Sequence, residues 1–260
     1  MIPLDRTPIH VLIVDGVNNH DWQTATHELL SILNGTGTFH VDVYTTDATW
    51  PAPRPRFDEY QAVFLNWNGG HLENGLRWPT EIESALVRYV RAGGGLVVFH
   101  AANNAFLKWP EYNEMIGLGW RNKEYGVSLV IDDHGNIVRI PAGEGRNPGH
   151  GPRHDFELVV LDVAHPITRG LPKRWRQPSE QLTHGQHGPA EGLTILTYAW
   201  SKDVDENEPL DWVRTYGKGR VYTTMLGHTW KNEDNPNYRC PEFRKLIARG
   251  VEWAATGNVS

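Results

Sequence analysis

The hydrophobic and polar positions of the first hundred residues form short apolar runs separated by segments with helical periodicity. Three continuous apolar runs are typical of strands buried on both faces, and one run of alternating apolar and polar residues indicates a further strand. The predicted strands are residues 10–15, 39–45, 62–66 and 96–99, and the predicted helices are residues 22–33 and 79–92. Strands that alternate with helices in this way predict a parallel sheet with right-handed crossovers.

After residue 100 the pattern becomes less regular. A polar turn around Asp132 and Gly135 predicts a hairpin over residues 127–140. Further strands are predicted at residues 156–161, 193–199, 212–216 and 221–225, and a last helix is predicted to begin at Pro241. Because the chain has no internal repeat and no low-complexity linker, we predict one domain over residues 1–260, with its core at about 9–254. The predicted fold class is α/β: a three-layer, mostly parallel sheet with helices on both faces, with loop and hairpin insertions.

Composition and charge narrow the classes of function. The net charge of −6 and the lack of Lys/Arg runs argue against a nucleic-acid partner. The most apolar windows are strand-sized, so we expect no membrane partner, and the first residues lack the apolar core of a signal peptide. The single cysteine, Cys240, excludes an intrachain disulfide and suits a reducing compartment. We therefore expect a cytoplasmic protein, and we expect it to form a homo-oligomer.

Polar and aromatic residues follow four of the predicted strands, at the carboxyl end of each strand. In an open parallel sheet these loops share one edge, where ligands bind, so we expect their side chains to line one crevice. The candidates are His20 and Trp22 after the first strand, Asn66 and Trp67 after the third, His100, Asn103 and Asn104 after the fourth, and His228 and Trp230 after a late strand. Structural interpretations stay open, since a histidine can be a satisfied core residue and the 11 Trp can form an aromatic core. Asp21 is predicted to cap the first helix.

The turn at His100 is the most informative local motif. Residues 93–99 end a helix at three glycines and then form an apolar strand, which ends at His100 followed by two alanines. Hydrolases and amidotransferases of the α/β class present a Ser or Cys nucleophile at such a turn. An imidazole at this place indicates a site with a different chemistry from acyl transfer. Cys240 lies beside Pro241 at a helix start, far in sequence from the turn, which argues against a cysteine nucleophile.

Glu180 and His184 lie in a polar segment that is a second source of candidate side chains. A carboxylate beside imidazoles acts as a general base or orients a histidine, and a solvated loop glutamate is the alternative. His150 and His154 lie on a Gly/Pro-rich loop that either folds over the pocket or stays exposed.

A metal site is a further hypothesis. The ligand set would be His20, His100 and His228, joined by one of His150, His154 or Glu180. These are ligand types that zinc accepts, but the chain has no HExxH motif. The hypothesis therefore depends on convergence of the histidines through the fold.

Several segments together match a known family. They are Val11-Leu12-Ile13-Val14, His20-Asp21-Trp22, Tyr89-Val90 with Gly94-Gly95-Leu96-Val97 and His100-Ala101-Ala102, His165-Pro166-Ile167-Thr168-Arg169-Gly170-Leu171-Pro172, and Tyr216-Gly217-Lys218-Gly219-Arg220-Val221 with Leu226-Gly227-His228. With these segments, over residues 9–254, the chain resembles the trehalose-utilisation, or ThuA-like, family. That family has a fold similar to the class I glutamine amidotransferases and the flavodoxin-like proteins.

The resemblance implies a site in which the amidotransferase cysteine has been replaced. His100 stands near the nucleophile turn, and His228 is similar in position to the amidotransferase histidine. Family members often carry an Asp-Glu pair near Glu180, where this chain has Ser179-Glu180-Gln181, so only Glu180 is carried over. The resemblance also implies catabolism of trehalose and related glycosides, with a sugar oxidoreductase as a pathway partner that supplies keto-sugars.

We therefore predict a carbohydrate-catabolic enzyme that acts on a trehalose-like disaccharide or glycoside, or on its 3-keto form, by elimination, hydrolysis or isomerisation. The predicted catalytic residues are His100, Glu180 and His228, and the predicted substrate-binding residues are His20, Trp22, Asn66, Trp67, Asn103, Asn104, His184 and Trp230. The stabiliser of an enediolate would be an imidazolium or a divalent metal, zinc or manganese, held by His20, His100 and His228. The alternative is a non-catalytic carbohydrate-binding or regulatory module that keeps an amidotransferase-like cleft.

Overall fold

The computed structural model describes residues 7–70 and 75–260. The strands are β1 (Ile9–Gly16), β2 (Phe39–Thr46), β3 (Ala62–Asn66), β4 (Gly95–Phe99), β5 (Val127–Ile131), β6 (Ile137–Ile140), β7 (Gly149–His150), β8 (His154–Val160), β9 (Arg174–Glu180), β10 (Thr183–His184), β11 (His187–Gly188), β12 (Thr194–Ser201), β13 (Glu206–Tyr216) and β14 (Gly219–Thr224). The helices are α1 (Trp22–Asn34), α2 (Thr80–Ala92), α3 (Pro110–Ile116) and α4 (Pro241–Thr256). Short 3₁₀ turns occur at Phe57–Glu59, His100–Asn104, Lys123–Tyr125 and Pro236–Arg239. Among the described residues we find no helix that could span a membrane.

One half of the main sheet is parallel, in the order β2-β1-β3-β4-β14. Alternate side chains of its inner strands enter two separate buried clusters, as expected for strands covered on both faces. Ile13 and Phe64 share one cluster with the inner residues of α1 and α4. Leu12 and Leu65 share the other with the inner residues of α2 and α3. The prediction of an α/β sheet with helices on both faces is thus confirmed for this half.

The other half of the sheet is antiparallel, which corrects the prediction of a mostly parallel sheet. β13 pairs with β14 and β12, and β8 and β9 extend the sheet to its edge, all in antiparallel pairs. The predicted hairpin is present as β5 and β6, and β5 also pairs with β11 and β13. The sheet is therefore mixed. β9 was not predicted because its outward positions, Arg174 and Arg176, are charged, and its segment has no continuous apolar run.

Two predicted local features lie where the sequence placed them. The Asp21 carboxylate accepts a hydrogen bond from the Thr24 N–H at 3.2 Å, so this residue caps α1. Gly93 ends α2 with a φ of +126°, a conformation that favours glycine. Helix α2 begins at Thr80, one residue after Pro79.

Glu208 is a buried carboxyl group in β13, on the antiparallel half of the sheet. Its Oε2 accepts the Gly185 N–H at 3.2 Å, and its Oε1 has no partner among the residues that the structure describes. Burial, opposed by that hydrogen bond, raises the pKa of Glu208 to about 8. The folded protein therefore keeps a proton that the unfolded chain releases at lower pH.

We expect Glu208 to make the protein less stable as the pH rises through this window. From the ordinary pKa of 4.5 to the folded value of about 8, the free energy of unfolding should fall by about 1.4 kcal/mol per pH unit through this group. Glu208→Gln should remove that slope, whereas Glu81→Gln, at an exposed position on α2, should leave it unchanged. Urea unfolding at a series of pH values measures both slopes. An identical slope in wild type and Glu208→Gln would contradict the expectation.

Candidate active site

Three histidines converge at the carboxyl edge of the parallel half of the sheet. His20 follows β1, His100 follows β4 directly, and His228 follows β14. The three rings each offer a nitrogen, and these nitrogens lie within 4.8 Å of one another. The ring centroids are 4.9 Å apart for His20 and His100, 5.0 Å for His20 and His228, and 5.3 Å for His100 and His228. The three residues therefore form one cluster, as the parallel topology predicts.

The backbone at His100 is held in a left-handed conformation with φ +44°, which a non-glycine residue rarely adopts. The residue opens a 3₁₀ turn directly after the buried end of β4. Its Nδ1 donates to the carbonyl oxygen of Met225 at 2.7 Å, because a carbonyl can only accept. This bond leaves Nε2 of His100 without a proton and with a free lone pair.

The ring of His20 is oriented by a neighbouring amide. Its Nδ1 lies 3.3 Å from Oδ1 of Asn18, and the same oxygen accepts the backbone N–H of His20 at 3.0 Å. The Asn18 amide in turn donates to the carbonyl of Asn66 at 3.3 Å. The loop is tied to the His228 loop by the N–H of Asp21, which donates to the Thr229 carbonyl at 3.1 Å. These bonds fix the position of the His20 loop relative to the His228 loop.

His228 is positioned by Glu180. The Glu180 carboxylate accepts the backbone N–H groups of Gly227 at 2.8 Å and His228 at 2.9 Å. It also accepts the Gln181 N–H at 2.9 Å and the Asn237 amide at 3.0 Å. Burial raises the pKa of Glu180, and the four hydrogen bonds oppose that shift.

Of the two roles that the sequence left open for Glu180, this arrangement favours the orientation of a histidine over that of a general base. Its carboxylate oxygens are occupied by N–H groups of the chain, two of them from Gly227 and His228, and it is not among the described residues that line the cavity. Gly227 is required beside it, since its φ is +101° and an added Cβ would lie 2.1 Å from Cζ of Phe99. We assign Glu180 to the positioning of the His228 loop.

All three clustered histidines are held in the neutral form. Burial, and then the nearby His100 and His150, lower the pKa of His20 to about 3. Burial lowers the pKa of His100 to about 4, although the bond to Met225 opposes this. Burial, followed by His100 and His20, lowers the pKa of His228 to about 2. Neutral imidazoles with free lone pairs are the form that binds a metal ion.

The cluster forms the floor of an open cavity of about 530 Å³. Trp230 stacks on His228 with ring centroids 6.0 Å apart and an angle of 12°, and it is 41% exposed. Trp120 packs against His150, so the Gly/Pro-rich loop does reach the cavity. Asn104 also lines the cavity, and its Oδ1 is buried with no partner among the described residues. The cavity therefore offers both aromatic faces and hydrogen-bonding groups, as a sugar ring requires.

The structure does not bring the other predicted substrate-binding residues to this cavity. Trp67 is fully buried, stacks on Phe106 and donates to the Thr46 carbonyl at 3.2 Å, so it belongs to the aromatic core. The amides of Asn66 and Asn103 are used within the chain, the first on the Trp22 carbonyl at 3.2 Å and the second on the Leu118 carbonyl at 2.7 Å. Trp22 and His184 are not among the described lining residues either. Residues that follow a strand end can thus also pack inward.

Several lining residues were not singled out from the sequence, among them Arg153, Gln181, Thr183 and Glu233. Gln181 and Thr183 lie between the candidates Glu180 and His184, and Arg153 ends the loop that carries His150, so only neighbouring residues pointed to these three positions. Glu233 gave none, because it follows Trp230 in a polar segment without periodicity.

The residues of the cluster fit a divalent metal ion. Three neutral imidazoles are the protein ligands of a catalytic zinc site, which keeps a further position for water or substrate. Zn–N bonds are about 2.0–2.1 Å, so nitrogens that lie within 4.8 Å of one another would have to move closer together to bind one ion. In addition, Nδ1 of His228 is buried and has no partner among the residues that the structure describes. An ion, or a water molecule bound to it, would give this nitrogen the partner that it lacks.

Two solved structures of ThuA-like proteins are similar to this one. The structure is similar to a ThuA-like protein from Parabacteroides merdae ATCC 43184, with 36% identity, a TM-score of 0.86, and coverage of 97% of this chain and 92% of that one. A ThuA-like protein from Bacteroides uniformis ATCC 8492 shares the fold at 16% identity, with a TM-score of 0.65 and coverage of 97% and 94%.

One curated relative matches only in part. A stretch of 109 residues, 39% of this chain, is 30% identical to a proline–tRNA ligase from Salinispora arenicola, of which it spans 16%. The sequence model of the ThuA family, described as trehalose utilisation, matches residues 10–254. The chain therefore belongs to the ThuA (trehalose utilisation) family, which gives it a role in carbohydrate metabolism.

Proposed function

We propose that this protein is a metal-dependent carbohydrate-catabolic enzyme that acts on the 3-keto form of a trehalose-like disaccharide or glycoside. The observation that carries the proposal is the cluster of His20, His100 and His228 on the floor of a cavity with an aromatic wall. Three neutral imidazoles with free lone pairs are a costly arrangement to bury unless they bind something. Family membership supports the assignment to carbohydrates.

The chain's own residues orient this site. The Met225 carbonyl and the Asn18 amide fix the rings of His100 and His20, and Glu180 fixes the backbone of His228. Such outer partners set the tautomer and direction of metal-binding imidazoles. When bound, a divalent zinc or manganese ion supplies a Lewis acid for an oxygen of the sugar. The exposed face of Trp230 is suited to stack on the sugar ring.

A keto group makes the neighbouring C–H bond of the sugar acidic. When that bond breaks, the proton goes to a base, and the electron pair forms a C=C bond as the carbonyl becomes an enediolate. In elimination the aglycone oxygen then leaves with the electron pair and takes up a proton, and in isomerisation the proton returns to another carbon. Because Glu180 is committed to backbone N–H groups, His150 and Glu233 are the candidate bases among the described lining residues.

The proposal includes a cleft similar to that of the class I glutamine amidotransferases, with an imidazole at the nucleophile turn. A cysteine mechanism does not fit, because Cys240 precedes α4 and is not among the described residues of the cavity wall. The reaction would follow an oxidation step, so a sugar oxidoreductase would supply the keto substrate.

A non-catalytic carbohydrate-binding or regulatory module is the second candidate. It is favoured by one observation: Glu233, the single carboxylate among the described lining residues, is paired with Arg153 at 2.7 Å. A carboxylate that is held by a guanidinium is less free to approach a substrate C–H bond.

Metal analysis combined with a substrate panel tests the proposal. We expect about one zinc or manganese ion per chain in the purified protein, and turnover of 3-keto glycosides but not of the parent glycosides. Removal of the ion by a chelator should abolish turnover, and addition of the same ion should restore it. Binding of sugars without turnover of any keto form would contradict the proposal and support the binding module.

A further inference from the structure

Arg153 has an unused hydrogen-bond donor at the wall of the cavity. The side chain is only 12% exposed and is fixed at two of its three nitrogens. Nε donates to the Ser179 carbonyl at 3.0 Å, and Nη1 donates to the Glu233 carboxylate at 2.7 Å and to the Asp234 carbonyl at 3.3 Å. Nη2 is buried and has no partner among the residues that the structure describes. A guanidinium nitrogen left in this state is costly, so a ligand atom that accepts its hydrogen bonds would be bound tightly.

The position of Arg153 is rigidly linked to the histidine cluster. Ser179, which holds its Nε, lies at φ +42° and immediately precedes Glu180, which holds the His228 loop. The end of β9 therefore sets the placement of both the guanidinium and the His228 ring. Arg153 is also the single Lys or Arg among the described residues that line the cavity. It thus supplies a fixed positive charge in the same cavity as the proposed metal ligands.

The geometry points to Arg153 as the residue that binds a negatively charged oxygen of the sugar ligand. A guanidinium recognises such an oxygen through short, charge-assisted hydrogen bonds, which are roughly twice as strong as neutral ones. The inference rests on the proposed function for the identity of the ligand as a sugar. It adds to that function the requirement that the sugar carries a charged oxygen next to the metal ligands.

Two sources of a charged oxygen share this chemistry. One is a permanent carboxylate on a sugar acid, which would make Arg153 a determinant of substrate specificity. The other is the enediolate oxygen that forms only when the C–H bond beside the keto group breaks. The first affects ligand binding in the ground state, and the second affects the rate of the chemical step.

Arg153→Met and Arg153→Lys are the test variants. Methionine keeps most of the aliphatic stem and removes all donors, whereas lysine keeps the charge but cannot replace the planar fork. Arg174→Met is the matched control, because Arg174 lies on β9, pairs with Glu157 on the surface and does not line this cavity. Urea unfolding of each variant separates loss of fold from loss of function.

Two measurements are made on each protein, with and without zinc. Tryptophan fluorescence, to which the cavity residues Trp230 and Trp120 contribute, follows the binding of D-glucuronate and D-glucose. Steady-state kinetics with a 3-keto glycoside gives kcat and KM.

For a permanent carboxylate, we expect wild type to bind glucuronate about tenfold or more tightly than glucose, and Arg153→Met to lose that preference. For an enediolate, we expect Arg153→Met to lower kcat by about 10²- to 10³-fold with little change in KM. In either case Arg153→Lys should recover part of the loss and Arg174→Met should match wild type.

The inference is overturned if folded Arg153→Met shows wild-type kcat and wild type shows no preference for glucuronate. If wild type turns over no keto glycoside, the proposed function fails. The role of Arg153 is then tested by the glucuronate and glucose binding measurements only. An Arg153-dependent preference for glucuronate in that case would support the inference, and its absence would overturn it.

Discussion

Replacement of His100 by asparagine should remove the bound metal and nearly all turnover while leaving the fold intact. Asparagine tolerates the left-handed backbone found at this position, where φ is +44°, so the variant does not add strain. The side chain can no longer offer the Nε2 lone pair that the bond from Nδ1 to Met225 leaves free. We expect metal affinity to fall by more than the ~10- to 100-fold seen for outer partners of metal ligands. With the Lewis acid lost, kcat should fall by about 10³-fold or more.

Metal content by mass spectrometry and steady-state kinetics on a keto glycoside measure these two effects. His27→Ala is the control, because His27 lies on the exposed side of α1. It should keep wild-type metal content and kcat. Wild-type turnover by metal-free His100→Asn protein would contradict the assignment of His100 to the reaction.

Replacement of Glu180 by glutamine should destabilise the protein as well as slow the reaction. The carboxylate is fully buried and accepts hydrogen bonds from four N–H groups. The amide nitrogen of glutamine is a donor, so it would face at least one buried N–H group without an acceptor between them. We expect the free energy of unfolding to fall by about 2–4 kcal/mol and metal affinity to fall by about 10- to 100-fold.

The pH dependence of kcat distinguishes positioning by Glu180 from proton transfer. If Glu180 positions His228, the residual kcat of Glu180→Gln should keep the acid limb of the wild-type profile, and excess metal should restore part of the rate. If Glu180 were the base, that limb would vanish and metal would restore nothing. Glu157→Gln, at an exposed position on β8, should change neither stability nor rate by a measurable amount.

The parallel half of the fold could be predicted from the sequence because its signals are local. The apolar runs of β1, β3 and β4 and the helical periodicity of α1 and α2 each lie within a few consecutive residues. The antiparallel half could not be predicted to the same extent. β13 spans Glu206–Tyr216, and its first residues are polar although they pair with β12 and β5, so the local pattern does not reveal this part of the strand.

The candidate site residues also differ in how far local sequence signals could predict their positions. Prediction that a residue follows a strand end places its backbone at the edge of the sheet but does not give the direction of its side chain. His100 lines the cavity from a left-handed backbone position, whereas Trp67 turns inward to stack on Phe106. No pattern in the sequence distinguishes these two outcomes.

The sequence by itself determined that the backbone of His20, His100 and His228 lies at one edge of the sheet. Each follows a strand of the parallel half, and the carboxyl ends of parallel strands share one edge. Only the tertiary structure decided that Glu180 holds the His228 loop and that Arg153 reaches the cavity wall. The contact of Glu180 with Gly227 joins residues 47 positions apart, and that of Arg153 with Glu233 joins residues 80 positions apart. Such contacts are set by how the antiparallel strands pack beside the parallel ones, and therefore by side-chain geometry that local sequence patterns do not encode.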